Sequence, residues 1–191
     1  MTIKKSDGKS LEITTKVLKD GGVVILPTDT VYGFSGITSV GETDKKIMAI
    51  KGREESKPLI QLIAEPNDIF KYTDDKIPKE IISKWPGAFS IIVNIKNTLP
   101  LYKKQKTVAF RCPGDEWLRK IIKVCDCPIF STSVNRSGKP VLDEEEIITR
   151  EFEAECNLIV LDGDKKNALP STLLSIENGK VKILRQGSVT F

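Results

Sequence analysis

The stretch Gly21-Gly22-Val23-Val24-Ile25-Leu26-Pro27-Thr28-Asp29-Thr30-Val31-Tyr32-Gly33 decides how the rest of the chain is read. A glycine pair stops what precedes it, four aliphatic residues follow, and a proline closes the run. So short an apolar run, bounded by turn signals, reads as a buried strand of an α/β sheet. Thr28, Asp29 and Thr30 then fall just beyond the strand end, where α/β proteins commonly place ligands. Two readings of PTDTVYG stand side by side. Its hydroxyls can orient a small polar substrate with Tyr32 as a wall, or Asp29 can simply close a proline turn through an Asx-type bond.

Working outward, short apolar runs alternate with amphipathic stretches. Helices are predicted at Ser10–Asp20, with Ser10 as N-cap and Gly21-Gly22 as the stop, and at residues 42–50, 78–85, 115–124 and 143–152. Further strands fit residues 59–64, 89–95, 108–111, 128–130, 158–161, 172–176 and 181–184. Interleaved helices and strands predict an α/β fold, and the hairpin-like spacing around Glu177-Asn178-Gly179 predicts a mixed sheet. The chain has 191 residues, no repeat and no linker-like shift in composition, which predicts a single domain over 1–191 with its core at about 11–187.

Composition narrows the chemistry. Apolar residues make up 39% and charged residues 29%, as in ordinary globular proteins. No apolar run reaches the roughly 18 residues of a membrane span, and the start carries no hydrophobic leader. The expectation is a cytoplasmic protein without a membrane partner. Cys112, Cys125, Cys127 and Cys156 form no disulfide framework, and one C-x-C pair supplies too few ligands for a metal, so no metal site is assigned. There is no histidine, which excludes Ser-His-Asp and Cys-His catalysis and histidine-bound zinc. Catalysis must therefore use lysine, arginine, hydroxyls, amides, carboxylates or a bound ion. A net charge of +4 suits an anionic substrate without requiring nucleic acid. The near match to a P-loop at Ile3–Ser10 has Ile3 in place of the first glycine and no preceding strand, and no G-x-G-x-x-G follows a strand.

Three more segments place polar groups beside strand ends. KGREESKPL at 51–59 gathers Lys51, Arg53 and Lys57, cations that can surround a polyphosphate, although Glu54 and Glu55 also suit a solvated loop. STSVNRSG at 131–138 reads as a compact loop whose hydroxyls, Asn135 and Arg136 can cradle phosphate oxygens, or as a small polar surface turn. LPST at 169–172 and RQG at 185–187 bring Arg185 back beside Ser171 and Thr172, an anion site or an exposed hairpin end.

Taken in order, PTDTVYG, K-x-R with KPL, SKWPG, R-C-P, STS-x-N-x-SG, PST and a terminal R-x-G resemble the YrdC/TsaC family of threonylcarbamoyl-AMP synthases. The resemblance runs from about Gly21 to Gly187 and to the short, single-domain form. It implies a twisted mixed sheet flanked by helices, with a concave basic active-site face. It also implies that L-threonine, bicarbonate and ATP combine to threonylcarbamoyl-AMP and pyrophosphate. A downstream threonylcarbamoyl-transferase complex then modifies N6 of adenosine 37 in tRNA. Carried over residue by residue, Lys51 and Arg53 would be catalytic. Thr30, Arg111, Ser131 and Ser171 would bind threonine, with Arg111 on its carboxylate. Arg53, Lys57, Thr107, Ser133, Asn135, Val141 and Arg185 would face ATP, which brings Mg²⁺. Leu62 stands where many members carry a histidine near the threonine side chain, Val134 where alanine is usual, and Ser175 where an acidic residue often follows.

Such chemistry needs no histidine and no covalent nucleophile, because adenylyl transfer relies on alignment and on stabilising spread negative charge. Two other readings compete. One is a non-catalytic module with weak tRNA or double-stranded RNA binding, although its basic residues are interleaved with acids and aromatics are few. The other is a carbamoyl- or acyl-phosphate transferase acting on a different amine. The segment Lys96–Lys106 is the candidate for a loop over the site, on composition only.

Overall fold

Residues 1–53, 59–99, 106–177 and 180–191 are described in the computed structural model. In chain order the strands are β1 (Thr2–Lys4), β2 (Val24–Leu26), β3 (Gly33–Ile37), β4 (Ile60–Leu62), β5 (Phe89–Asn94), β6 (Thr107–Arg111), β7 (Ile129–Ser133), β8 (Leu158–Leu161), β9 (Thr172–Glu177) and β10 (Lys180–Arg185). The helices are α1 (Ser10–Lys19), α2 (Thr43–Lys51), α3 (Lys79–Ile82), α4 (Glu116–Cys125) and α5 (Glu145–Phe152), with a 3-10 turn at Pro66–Lys71. All ten strands form one sheet in the order β1-β8-β2-β3-β7-β4-β6-β5-β9-β10. β8 pairs in parallel with β1 and β2, as do β4 with β6 and β5 with β9, while the other neighbours are antiparallel. The mixed sheet expected from the hairpin spacing is present.

Local chemistry explains the opening stretch. The amides of Gly21 and Gly22 return to the carbonyls of Leu18 and Val17, and Gly21 takes a φ of 75°. That closes α1 and turns the chain into β2, every residue of which is buried. Ser10 proves to be the first helical residue and not the cap; its hydroxyl donates to the Lys5 carbonyl. β1 and β3 are additions to the predicted elements. The charged TIK of β1 and the glycine- and serine-containing GFSGI of β3 lack the β-branched alternation that marks a strand, and they form through pairing with β8, and with β2 and β7. α3 and β4 are shorter than predicted, whereas β7 runs on to Ser133.

Alternation within the strands assigns the two faces of the sheet. One face carries Ile25, Phe34 and Ile159, packed under Ile47 and Met48 of α2 and Ile148 and Phe152 of α5. Farther along the sheet, Phe89, Ile91, Val93, Val108 and Phe110 pack against Ile69, Ile81 and Trp85. The opposite face carries Val24, Leu26, Leu62, Ile129, Leu158 and Val160 under α1 and α4. In α4 the stripe Leu118, Ile121, Ile122 and Cys125 supplies the contact, and Asp115 caps the helix by accepting from the Leu118 amide. α1 and α4 cover only part of that face. Beyond them Ser131 and Ser133 of β7, Ile60 of β4, Thr107, Ala109 and Arg111 of β6, Ile92 of β5 and Leu173 of β9 line an open cleft.

Candidate active site

The cleft encloses about 430 Å³. Its floor includes Thr107, Ala109 and Arg111 of β6 and Ser131 and Ser133 of β7, which alternate with Val108, Phe110 and Phe130 of the core, and its rim is the PTDTVYG and PST turns. Nine of the residues implicated by sequence meet here: Thr30, Arg53, Thr107, Arg111, Ser131, Ser133, Val141, Ser171 and Arg185. A second, polar cavity of about 440 Å³ adjoins the first, sharing Arg53 and Ser133 and adding Lys51, Asn135, Ser137 and Gly138. Lys57, with Glu54 and Glu55, lies outside the described residues, as does most of the loop proposed over Lys96–Lys106.

The 131–138 segment is a strand followed by a turn, and not a loop throughout. Ser131 and Ser133 are aimed at the cleft by the pleat of β7. The turn begins at Val134, which is fully buried against Phe34 and Phe152. Lys51, at the end of α2, reaches under this turn. Its ammonium donates to the carbonyls of Ser133 and Asn135 and, at 2.8 Å, to Asn135 Oδ1, which also accepts from the Ser133 hydroxyl. Burial, with a smaller push from Arg53, lowers the Lys51 pKa to about 8. Arg136 does not enter the site. Its guanidinium pairs with Glu151 and Glu155, donates to the Ile50 carbonyl and lies over Phe152.

Arg111 is buried at the end of β6 with its fork fully engaged on one side. Nε donates to the Gly87 carbonyl at 3.2 Å, Nη1 to Thr30 Oγ1 at 2.9 Å, and Nη2 to Asp29 Oδ1. Asp29 therefore closes no local turn but reaches across to Arg111 at the end of β6 and to the Gly114 amide beyond it. The sequence reading missed it, and its only signal was a carboxylate inside PTDTVYG. Thr28 Oγ1 accepts from the Thr30 amide and donates to the Val31 carbonyl, which fixes both hydroxyls of the rim. Arg185 donates to the carbonyl and hydroxyl of Ser171, whose Oγ lies 3.0 Å from that of Ser90. Burial lowers the pKa of Arg53, Arg111 and Arg185, in Arg111 against the pull of Asp29, yet arginine starts so high that all three stay cationic.

Tyr32 is among the residues lining the cleft, but its side chain serves chiefly as a strut. Its ring is buried, and its hydroxyl lies 2.8 Å from the Gly163 carbonyl and 3.1 Å from Glu145 Oε1, which share its one proton, and accepts from the Asp162 amide on the far side of the sheet. Leu62 does not reach the cleft; it belongs to the core under α1 and α4, and Leu59 and Ile60 present apolar surface to the cavity instead. Burial pushes the thiols of Cys112 and Cys156 up to about 12 and that of Cys125 to about 11, so none is a nucleophile at neutral pH. Among the described residues no group of three or more metal-ligating side chains occurs, and no helix is long and apolar enough to cross a membrane.

A half-covered α/β sheet face lined by three arginines and a row of hydroxyls offers the donors that small anions need. The chain belongs to the Sua5/YciO/YrdC family, whose sequence pattern, described as "telomere recombination", matches residues 16–187. It is 32% identical over 183 residues to a Methanocaldococcus jannaschii protein with the provisional name threonylcarbamoyl-AMP synthase, covering 95% of this chain and 87% of that one. The threonylcarbamoyl-AMP synthase of Pyrococcus abyssi is 28% identical over 185 residues, and the match spans 94% of this chain but only 54% of that protein. The crystal structure of P. abyssi Sua5 complexed with L-threonine superposes with a TM-score of 0.85 at 26% identity, over 98% of this chain and 57% of that one. Escherichia coli YciO shares the fold, with a TM-score of 0.82 at 18% identity over 98% of this chain and 94% of that one.

Proposed function

We propose that this protein is an L-threonylcarbamoyladenylate synthase, a nucleotidyltransferase acting in the cytoplasm. It takes L-threonine, bicarbonate and ATP and releases threonylcarbamoyl-AMP and pyrophosphate. A separate transferase then consumes the adenylate in modifying tRNA adenosine. The observation that carries the reading is the cleft itself, which joins Arg53, Arg111 and Arg185 to the hydroxyls of Thr30, Ser131, Ser133 and Ser171 and adjoins the second cavity, lined by Lys51. The names of the M. jannaschii and P. abyssi relatives, and the threonine bound to P. abyssi Sua5, support it.

The chemistry follows from where the donors lie. Threonine enters with its carboxylate toward Arg111 and its nitrogen free, and that nitrogen attacks the carbon of bicarbonate with loss of water to form a carbamate. A carbamate oxygen attacks the α-phosphorus, the bond to the bridging oxygen breaks, and pyrophosphate leaves with the electron pair. Arg53 offers donors to the phosphates, and the turn from Ser133 to Gly138, braced by Lys51, walls the second cavity in which they lie. Alignment in one site can supply several kcal/mol by replacing a bimolecular search. Mg²⁺ would travel with ATP on its phosphate oxygens, where it neutralises charge, because the described residues offer no cluster to hold it alone.

Pyrophosphate release tests the reading. With ATP and Mg²⁺ present, release should require both threonine and bicarbonate. Arg53→Ala should lower it by about a hundredfold or more, the usual worth of one transition-state donor, without loss of fold. Amino-acid-independent release, or salt-sensitive RNA binding with no release, would favour the competing readings.

A further inference from the structure

We infer that Asp29 is a positioning residue that fixes the orientation of the substrate carboxylate through Arg111, an inference that rests on the synthase reading above. An arginine has five N–H donors. Among the described residues Arg111 commits three of them: Nε to Gly87, Nη1 to Thr30 and Nη2 to Asp29. One N–H on each terminal nitrogen is left for a ligand, and the direction of that pair is set by the partners of the other three. Two of those partners are neutral oxygens. Asp29 is the charged one, and charge-assisted bonds are the stronger and shorter class. Its second oxygen is in turn held by the Gly114 amide at 2.8 Å, just beyond β6. The carboxylate is thus clamped between the strand that carries Arg111 and the turn that follows it. The same PTDT turn holds Thr30, so Asp29 locks the guanidinium and the Thr30 hydroxyl into one rigid unit on the cleft rim.

Neutralisation alone does not account for this arrangement. If Asp29 served only to cancel a buried charge, a single contact would suffice, and removing it would leave a cation with higher affinity for an anionic ligand. A clamp at both oxygens serves direction. A Cβ at Gly114 would lie 3.0 Å from Asp29 Oδ2, so the turn leaves just enough room for the carboxylate in this pose.

The test compares wild-type protein with Asp29→Asn and Gly114→Ala, measuring KM for threonine and for ATP by pyrophosphate release. Asn cannot accept from both Arg111 and the Gly114 amide in the same pose, and Gly114→Ala displaces the carboxylate while keeping its charge. Both variants should raise KM for threonine by about tenfold or more, the worth of one charged hydrogen bond, with KM for ATP within about twofold of wild type. Loss of active protein through misfolding would lower kcat with both KM values unchanged, and that outcome in both variants overturns the inference. So does tighter threonine binding in Asp29→Asn, which would reduce Asp29 to a neutralising charge. If the wild-type protein shows no threonine-dependent release at all, the synthase reading and this inference fail together.

Discussion

The ammonium of Lys51 donates to three oxygens at the end of β7 and in the turn after it, although the resemblance had cast it as a catalytic cation beside the phosphates. Its removal therefore acts on the protein twice. Lys51→Ala should weaken ATP binding and also leave part-buried carbonyls at Ser133 and Asn135 without this donor, at about 1–3 kcal/mol in urea unfolding. Its titration separates the two effects. The folded pKa near 8 lies below the ordinary lysine value of 10.5. Between those limits the unfolded chain keeps a proton that the folded protein has lost, so this group's contribution to stability rises with pH. Anion binding runs the other way, because the charge beside the second cavity disappears. ATP affinity should fall from pH 7 to 9 without a matching loss of stability from this group, and in Lys51→Met it should be weak and flat over the same range. A steady wild-type ATP affinity across that range would contradict the assignment. At this scale the sequence was informative about residue type and poor about direction. Arg53 and Arg185 could be named from their cations and Arg111 from the family resemblance, but the role of Asp29 could not be read, because its partner lies on a strand 82 positions away.

Elements explain how distant segments aim at one cleft. β10 pairs Ile183 with Leu174 but Arg185 with Leu173, so Leu184 is an extra residue, a bulge. Simple alternation from Val181, which packs on the core, would send Arg185 to the core side as well. The bulge turns it to the side of Leu173 and the cleft. The turn that follows is clasped to PST: Thr172 Oγ1 donates to the Val189 carbonyl and accepts from the Gly187 amide. Gly187 lies so close that a Cβ would come within 2.2 Å of the Pro170 carbonyl and 2.5 Å of the Thr172 amide. Gly187→Ala should thus cost about 1–3 kcal/mol in thermal or urea unfolding, with reduced turnover from displacement of Ser171 and Arg185. Unchanged stability and turnover would show that the clasp is slack. Helices with a clear apolar stripe, α1 and α4 among them, were legible from periodicity. β3 was not, since GFSGI owes its extended form to neighbours on both sides. The bulge was also hidden, because register depends on the partner strand.

At the scale of the whole molecule, the site exists because α1 and α4 cover only part of one sheet face while the other face is packed under α2, α5, α3 and the 3-10 turn. That a mixed α/β sheet would form was readable from the interleaved patterns and the terminal hairpin. The order β3-β7-β4-β6-β5-β9 that gathers four motif segments was not, because it depends on long-range pairings between strands that carry no mark of their partners. The family resemblance supplied the meeting of those segments before the topology could. The cleft's polar floor then has a plain cause: positions left uncovered by helices carry Ser131, Ser133, Thr107 and Arg111, while their strand neighbours, such as Phe110 and Val108, fill the core. The most direct test of the account follows the atoms. The protein is incubated with ATP, Mg²⁺, threonine and carbon-13-labelled bicarbonate, and the products are read by mass spectrometry. The account predicts threonylcarbamoyl-AMP heavier by the label, with pyrophosphate in equal amount. Threonyl-AMP lacking the label, or an adenylate formed without threonine, would contradict it.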